Sequence, residues 1–308
     1  MTGELPHLCV EPFPARHARP SLSAAFAELA ELEYRLGDWS AAHASALEAL
    51  RAARSADLGR EGMTSLVHLA TIEAGLGRSR ACRRHAAQAI ELSRRHECKA
   101  VEALAGEAVG FLELGLGRVA PAIERLEGVG EVVAGHPAAC AAATAWASDL
   151  AEAYVRRGDR ARAERAVARL EEQVSQTGSY VLAATLERSR AMLADDDAFE
   201  PFVQRALGWN ARAQQPFEQA RTQLCFGERL QIAGRSPEAR AWFSMALDTF
   251  RALGAQPWAE RARKVLAASS DRAGRRSSPG NGPAYAAVGV VAALAGRSSA
   301  WQSRNLAP

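Results

Sequence analysis

The sequence predicts an all-α solenoid of about six antiparallel helix pairs, followed by one further helix that caps the array. Two observations support this prediction. The stretch Leu29–Leu50 contains two helical patterns of apolar residues that meet at a Gly-Asp-Trp turn, and this arrangement recurs along the chain. Because one helical hairpin cannot bury both of its apolar stripes alone, we expect successive hairpins to stack on each other.

The recurrence is clearest in the turn glycines, since glycine suits the left-handed position that commonly ends a helix. These glycines are Gly37, Gly77, Gly117, Gly158 and Gly234. Their steps are 40, 40, 41 and 76 residues, and the last step accommodates two units with a degenerate turn near Ala194–Asp197. A fixed period of this size is typical of helical-hairpin arrays.

Residue size is also fixed at set distances from each turn glycine. Small residues stand seven positions before it (Ala30, Ala70, Gly110, Ala151, Gly227) and five positions after it (Ala42, Cys82, Ala122, Ala163, Ala239). Large apolar residues stand eight positions before it (Leu29, Leu69, Val109, Leu150, Phe226). The small residues are what a close approach of two helix backbones requires.

The elements can be placed in order from these turns. Ser21 is a candidate N-cap for a first helix that ends near Leu36. The predicted helix pairs are 21–36 with 40–56, 61–76 with 79–95, 99–116 with 120–133, 137–157 with 160–176, 180–193 with 198–212, and 216–233 with 236–253. Pro137 is expected to begin its helix, a position that favours proline, and a last helix over 257–269 is expected to cap the array.

Composition divides the chain into three parts. Residues 1–20 contain four prolines and no apolar period, which predicts an irregular N-terminal arm before the repeat domain of residues 21–269. Residues 270–308 are rich in Gly, Ser, Arg and Ala without amphipathic periodicity, and we expect a mostly disordered tail.

Bulk properties exclude several classes of protein. A formal net charge of +3 is too small to indicate binding to nucleic acid or to an anionic membrane. The five cysteines are scattered and form no CxxC pair, which favours reduced thiols. The longest bland apolar run, Ala284–Ala295, falls short of the about 20 residues that a membrane span needs. We therefore expect a cytoplasmic protein without a membrane segment.

No motif indicates catalysis, a cofactor or a metal. Cys82, His85, His96 and Cys98 resemble zinc ligands in type only. His85 and His96 lie eleven residues apart, which is about 16 Å along one helix and too far for a single ion. The Asp195–Asp197 run is better explained by its position before a helix N-terminus than by a cation site. Nucleophile motifs such as GxSxG do not occur, so an enzyme is only a weaker alternative.

The segments LAELEYRLGDW (29–39) and LAEAYVRRGDR (150–160) resemble the first helix and turn of the tetratricopeptide repeat, although the period here exceeds the usual one of about 34 residues. The resemblance implies a right-handed superhelix with a concave groove lined by the first helix of each pair. It also implies candidate groove contacts at set distances before the turn glycines: Glu31, Tyr34, Thr71, Phe111, Ser148, Glu152, Glu228 and Gln231. Such a wall suits a protein, a peptide or a small effector, while packing between repeats is the alternative role for each residue.

A second resemblance covers the last part of the repeat domain. The elements Pro216–Arg221, Gly234–Arg240 and Leu253–Arg263 are similar to the end of the helical-repeat sensor region in large LuxR-type transcriptional regulators. The ATPase motif GxxxxGK[ST] does not occur, and residues 270–308 are too few for that family's linker and helix-turn-helix domain. The resemblance implies an effector-binding or protein-binding sensor, truncated and without specific DNA binding of its own. A stand-alone scaffold for protein–protein interaction is the main alternative.

Overall fold

The computed structural model describes residues 21–136 and 145–275, with side chains through residue 269. Within these ranges the chain forms thirteen α-helices and no strand, which confirms the all-α solenoid. The first three repeats are α1 (Leu22–Leu36) with α2 (Trp39–Ser55), α3 (Gly59–Gly75) with α4 (Ser79–Arg95), and α5 (Lys99–Gly115) with α6 (Val119–Gly135). Predictions for residues 1–20, for Pro137 and for residues 276–308 lie outside the described ranges.

The second half repeats the same arrangement. The pairs are α7 (Trp146–Arg157) with α8 (Arg160–Thr177), α9 (Tyr180–Leu193) with α10 (Glu200–Ala213), and α11 (Pro216–Ile232) with α12 (Ser236–Ala252). The additional helix α13 (Gln256–Arg275) follows the sixth pair and continues past Ser269. No helix of the described ranges is both long enough and apolar enough to cross a membrane.

The predicted turn glycines end the first helices of their pairs. All five have positive φ, from 74° at Gly117 to 96° at Gly37. After Gly37, the backbone N–H of Asp38 donates to the carbonyl of Glu33 at 2.9 Å, and the corresponding bond recurs after each of the other four glycines. This is the Schellman motif, which satisfies the last carbonyls of a helix and reverses the chain. The predicted helix breaks are therefore confirmed.

Side-chain caps fix several helix starts. The Ser21 hydroxyl accepts a hydrogen bond from the backbone N–H of Ala24 at 3.1 Å, as predicted for an N-cap. Asp38 and Asp159, which directly follow turn glycines, cap α2 and α8 in the same way. The turn chemistry thus ends one helix and begins the next within three residues.

The small positions are buried where helices cross. Ala30 and Ala42 have no exposed surface, and they pack α1 against α2. A Cβ added to Gly110 would lie 2.6 Å from Leu126, and one added to Gly227 would lie 2.5 Å from Phe243. Since real Cβ atoms do not approach so closely, these sites of close helix crossing require glycine.

The first helices of successive pairs form the inner layer of the solenoid. Helices α1, α3, α5, α7, α9 and α11 pack against each other in series, in addition to packing within their own pairs. The end of this series returns to its beginning, because α11 contacts α1, and α13 contacts both α3 and α5. The last repeat and the last helix therefore lie against the inner wall of the first three repeats.

Candidate functional site: the inner wall

The eight predicted groove residues lie on five of the six helices of the inner layer, namely on α1, α3, α5, α7 and α11, with none on α9. The structure places them in two different environments. Phe111, Ser148 and Glu152 are buried, with exposed fractions of 7%, 1% and 4%. The other five, Glu31, Tyr34, Thr71, Glu228 and Gln231, are partly exposed.

The buried part of the wall begins with an aromatic cluster, which we define as Trp39, Phe111, Phe217, Phe250 and Trp258. Phe217 lies at its centre, with ring centroids 5.0 Å from Trp39, 5.6 Å from Phe111 and 5.5 Å from Trp258. Tyr34 extends the cluster by stacking on Trp39 at 5.0 Å. Because these rings come from the first, third and sixth repeats and from α13, they hold the two ends of the solenoid together.

Glycines at the ends of the first three inner helices allow the two ends of the solenoid to approach each other. A Cβ at Gly37 would lie 2.7 Å from Leu253 and 2.9 Å from Pro216, and one at Gly77 would lie 2.8 Å from Pro257. A Cβ at Gly115 would lie 2.9 Å from the indole nitrogen of Trp258. The glycines therefore have a second role beyond their backbone conformation, which is to admit the last repeat and α13.

An ionic cluster adjoins the aromatic one. We define it as four carboxylates and four guanidinium groups: Asp149, Glu152, Glu218 and Glu228 with Arg156, Arg188, Arg221 and Arg261. Arg221 is 4% exposed and donates from Nη2 to Asp149 and to Glu152, both at 2.7 Å. Its guanidinium carbon also lies 4.6 Å from the ring centre of Trp258, so Arg221 joins the two clusters.

The remaining arginines complete the ionic cluster. Arg188 is 1% exposed and donates to Glu218 at 2.5 Å and to the Ser148 hydroxyl at 3.3 Å. Arg261, on α13, donates to Glu152 at 2.5 Å and to Glu228 at 3.0 Å. Three of the eight predicted groove residues, Ser148, Glu152 and Glu228, thus have arginine partners from other repeats of the same chain.

The surroundings of each carboxyl group set its pKa. Burial favours the neutral form of Glu152, but the guanidinium groups of Arg221, Arg156 and Arg188 lower its pKa to about 2. Burial raises the pKa of Asp149 even though Arg221 opposes this shift. In this cluster, burial raises the pKa of each carboxyl group and the neighbouring guanidinium groups lower it.

Glu107 and Glu228 differ from Glu152 because burial dominates. Burial and the nearby charge of Asp149 raise the pKa of Glu107 to about 8, although the backbone N–H of Ala145 donates to it. The second carboxylate oxygen of Glu107 is buried without a hydrogen-bond partner. Burial likewise raises the pKa of Glu228 to about 7 despite Arg156, while 27% of its side chain stays exposed.

A partly exposed polar band lies on the inner layer of the first two repeats. Glu31 pairs with Arg35 one turn later at 2.6 Å, and both side chains are 35% exposed. His68 and Thr71 on α3 are also partly exposed. Burial, and then Arg35, lower the pKa of His68, while Glu31 opposes the shift, so the imidazole lies near both charges. We call these four residues, Glu31, Arg35, His68 and Thr71, the polar band; their side chains leave polar surface exposed on the inner layer.

Two surface cavities lie elsewhere. One of about 490 Å³ lies between α2, α3 and α4, lined by apolar residues that include Leu50, Leu58 and Leu66. Another of about 340 Å³ lies at α8 and α9 beside Trp209. Neither cavity is lined by any of the eight predicted groove residues.

The described cysteines and histidines lie in environments that explain their chemistry. Burial raises the pKa of the Cys82 and Cys225 thiols to about 12, so both thiols are protonated and poorly nucleophilic at neutral pH. The Nδ1–H of His85 donates to the Glu73 carboxylate at 2.8 Å. Within the described ranges, no group of three or more His, Cys, Asp or Glu residues could hold a metal ion.

Sequence reasoning did not identify Glu107, Arg188, Arg221 or Arg261 as inner-wall residues. Glu107 stands ten residues before Gly117, the same distance at which Ser148 precedes Gly158, so the repeat register contained the necessary signal. Arg221 and Arg261 lie within the segments that resemble LuxR-type regulators, but nothing in their spacing indicates their partners. Their contacts with Glu152 join residues 69 and 109 positions apart, which only the closed arrangement brings together.

Comparison with known proteins agrees with the fold. No protein-family model matches the chain, and no curated protein matches it in sequence. Among solved structures, the apo form of RapI matches with a TM-score of 0.60 and 11% identity, over 75% of this chain and 84% of that one. A Rap protein complexed with Competence and Sporulation Factor matches with a TM-score of 0.55 and 13% identity, over 82% of this chain and 76% of that one.

A tetratricopeptide repeat protein from Parabacteroides merdae covers 81% of this chain and 99% of its own length at 16% identity, but its TM-score of 0.40 is too low to support an argument. The identities to the two Rap proteins are low enough that these matches show the fold alone. The chain therefore has an all-α helical-repeat fold similar to that of Rap proteins.

Proposed function

We propose that the chain is a non-enzymatic helical-repeat scaffold whose inner wall binds a protein or a peptide. The observation that carries this proposal is the polar band of Glu31, Arg35, His68 and Thr71, which keeps partly exposed polar side chains on the inner layer of the first two repeats. A Rap protein of the same fold was solved in complex with Competence and Sporulation Factor, which supports a binding role. A small effector on the same wall is the alternative form of this proposal.

The predicted contacts divide into two roles under this proposal. Glu31, Tyr34, Thr71, Glu228 and Gln231 are partly exposed and would meet the partner directly. Phe111, Ser148 and Glu152 are buried and would hold the helices that present the others. Carboxylates with an adjacent arginine and apolar surface suit an extended peptide with at least one cationic side chain.

The test is peptide selection on the immobilised full chain, followed by matched variants. Glu31→Lys with Thr71→Lys raises the charge of the inner wall by three, and Glu48→Lys with Ala44→Lys makes the same charge change at exposed positions of α2. Selected peptides should lose at least tenfold in affinity on the first variant and less than twofold on the second. Equal losses on the two variants, or peptides that bind both as tightly as the original chain, would contradict the inner-wall proposal.

A sensor region of a LuxR-type regulator is the second candidate, and one observation favours it. The segments that carry the resemblance, Pro216–Arg221 and Leu253–Arg263, contain the residues that close the solenoid, including Phe217, Arg221 and Trp258. In this reading the chain is a cytoplasmic sensor region without specific DNA binding of its own. Translation of the downstream nucleotides in the other two frames should reveal a helix-turn-helix, and its absence would count against this origin.

Two further measurements separate the proposal from other classes of function. A gel-shift assay at physiological salt should show no sequence-specific DNA complex with the chain alone. Activity screening should detect no turnover, because the buried thiols are protonated and the inner carboxylates are paired with arginines. Specific turnover abolished by Glu152→Gln would instead favour the weaker alternative of a helical-repeat enzyme.

A further inference from the structure

Helix α1 exposes a row of leucines, which we call the leucine face: Leu22, Leu29, Leu32 and Leu36. Their exposed fractions are 66%, 42%, 54% and 43%. They recur at spacings of seven, three and four residues, so they form one continuous stripe along the helix. Two further described residues, Tyr180 and Ile232, are large hydrophobic residues of comparable exposure, and neither lies on α1.

Two of the four repeat positions are buried in the following repeats. Leu29 stands eight residues before its turn glycine, and its counterparts Leu69 and Leu150 are 0% and 5% exposed. Leu32 stands five residues before, and its counterparts Ile72 and Leu112 are 1% and 0% exposed. In those repeats the preceding repeat covers the position, whereas α1 has no preceding helix within the described residues. The leucine face is therefore a stacking surface without its usual cover.

A second copy of the chain is a poor candidate for that cover. The four leucines expose on the order of 400 Å², which is typical of the largest apolar patch on a monomer. Two such faces would bury about 800 Å² in total, below the roughly 1,200 Å² at which stable protein interfaces begin. A covering segment that belongs to the same chain does not need a large area, because its effective concentration is already in the millimolar range.

We propose that the N-terminal arm covers the leucine face, with Leu5, Leu8, Val10 and Phe13 as the contacting side chains. This inference is independent of the proposed binding function. Residue 20 is joined directly to the Ser21 cap of α1, so this docking requires the chain to reverse direction within residues 14–20. Leu5–Phe13 spans about 25 Å when extended, which matches the about 21 Å between Leu22 and Leu36 on a helix.

Native Cys9 lies in the middle of this apolar segment and allows a direct test. In the full chain with Cys98→Ser and Cys140→Ser, Ala25→Cys introduces a thiol at an exposed position between Leu22 and Leu29. Under mild oxidation, mass spectrometry should find an intrachain bond from Cys9 to position 25. It should form at least tenfold faster than the bond from Cys9 to position 44 in the matched control Ala44→Cys, an exposed site on α2.

The other outcomes overturn the proposal. An interchain bond between two thiols at position 25 would assign the face to a second copy, and equal rates at positions 25 and 44 would show no preferred docking. A second measurement uses a dye that fluoresces on apolar surfaces. Leu8→Ser with Phe13→Ser should raise its fluorescence severalfold, whereas Glu4→Ser with Glu11→Ser should not, and an unchanged signal in the first variant would contradict the proposal.

Discussion

The aromatic and the ionic clusters lie side by side on the inner wall and both close the solenoid, but they do so by different physical means. The rings of Trp39, Phe111, Phe217, Phe250 and Trp258 gain free energy from buried apolar area and need no exact partner. The eight charged groups around Arg221 lose their hydration, and they compensate only when every partner is in place. The first cluster therefore contributes stability, and the second makes that stability depend on geometry and on pH.

The largest effect is expected from the aromatic cluster. Trp258→Ala removes a ring that is 1% exposed and contacts Phe111, Phe217 and Phe250, so it should lower the free energy of unfolding by about 4 kcal/mol. Urea unfolding followed by circular dichroism measures this change. Tyr180→Ala is the matched control, because Tyr180 stacks on Trp209 but is 52% exposed, and it should cost less than about 1 kcal/mol. Similar losses for both variants would contradict a closed inner wall.

Removing Arg221 from the ionic cluster should lower the free energy of unfolding slightly less, and by an amount that depends on pH. Arg221→Met leaves Asp149, Glu152 and Glu218 without a shared guanidinium, which should cost about 3 kcal/mol at neutral pH. Part of the loss should be recovered at pH 4, because protonated carboxyl groups no longer need the arginine. Arg95→Met is the control, since its pair with Glu91 is exposed and should contribute less than about 0.5 kcal/mol. A loss that is the same at both pH values would show that Arg221 acts through packing alone.

Two turn glycines allow the closure to be measured separately from backbone strain. Gly37→Ala meets both a left-handed φ of 96° and the side chains of Leu253 and Pro216, so it should cost about 2 kcal/mol. Gly158→Ala meets a φ of 81° with no atom within 4 Å of the added Cβ, so it should cost only about 1 kcal/mol. Thermal unfolding of both variants gives the difference, and an equal cost would indicate that the ends of the solenoid do not meet in solution.

The smallest effect concerns Glu107, and its sign follows from linkage. Because the folded state raises the pKa of Glu107 to about 8, its contribution to stability is fully present below pH 4 and is lost as pH rises toward 8. Glu107→Gln mimics the protonated carboxyl, so it should leave the free energy of unfolding unchanged at pH 4 and increase it at pH 8. Urea unfolding at the two pH values measures this, and a variant that is less stable at pH 8 would contradict burial of a neutral Glu107.

Local sequence signals predicted most of the fold. The turn glycines at 37, 77, 117, 158 and 234 lie where the structure ends the first helices, because positive φ and the Schellman hydrogen bonds are properties of a few adjacent residues. The predicted site was less complete. The register placed Ser148, Glu152 and Glu228 on the inner layer, but it could not identify Arg221 or Arg261 as their partners. Contacts between distant repeats leave no periodic trace in the sequence.

By itself, the sequence determined the helical hairpins, their turns and the small residues at which they cross, since each depends on interactions within one repeat or between neighbours. The tertiary structure decided what the inner wall is. It brought Phe217, Arg221 and Trp258 against the first repeats, buried some predicted groove residues and left the leucine face of α1 uncovered. The physical reason is that a solenoid's curvature accumulates from small rotations at every repeat, so the meeting of its ends is a property of the whole array and of no single segment.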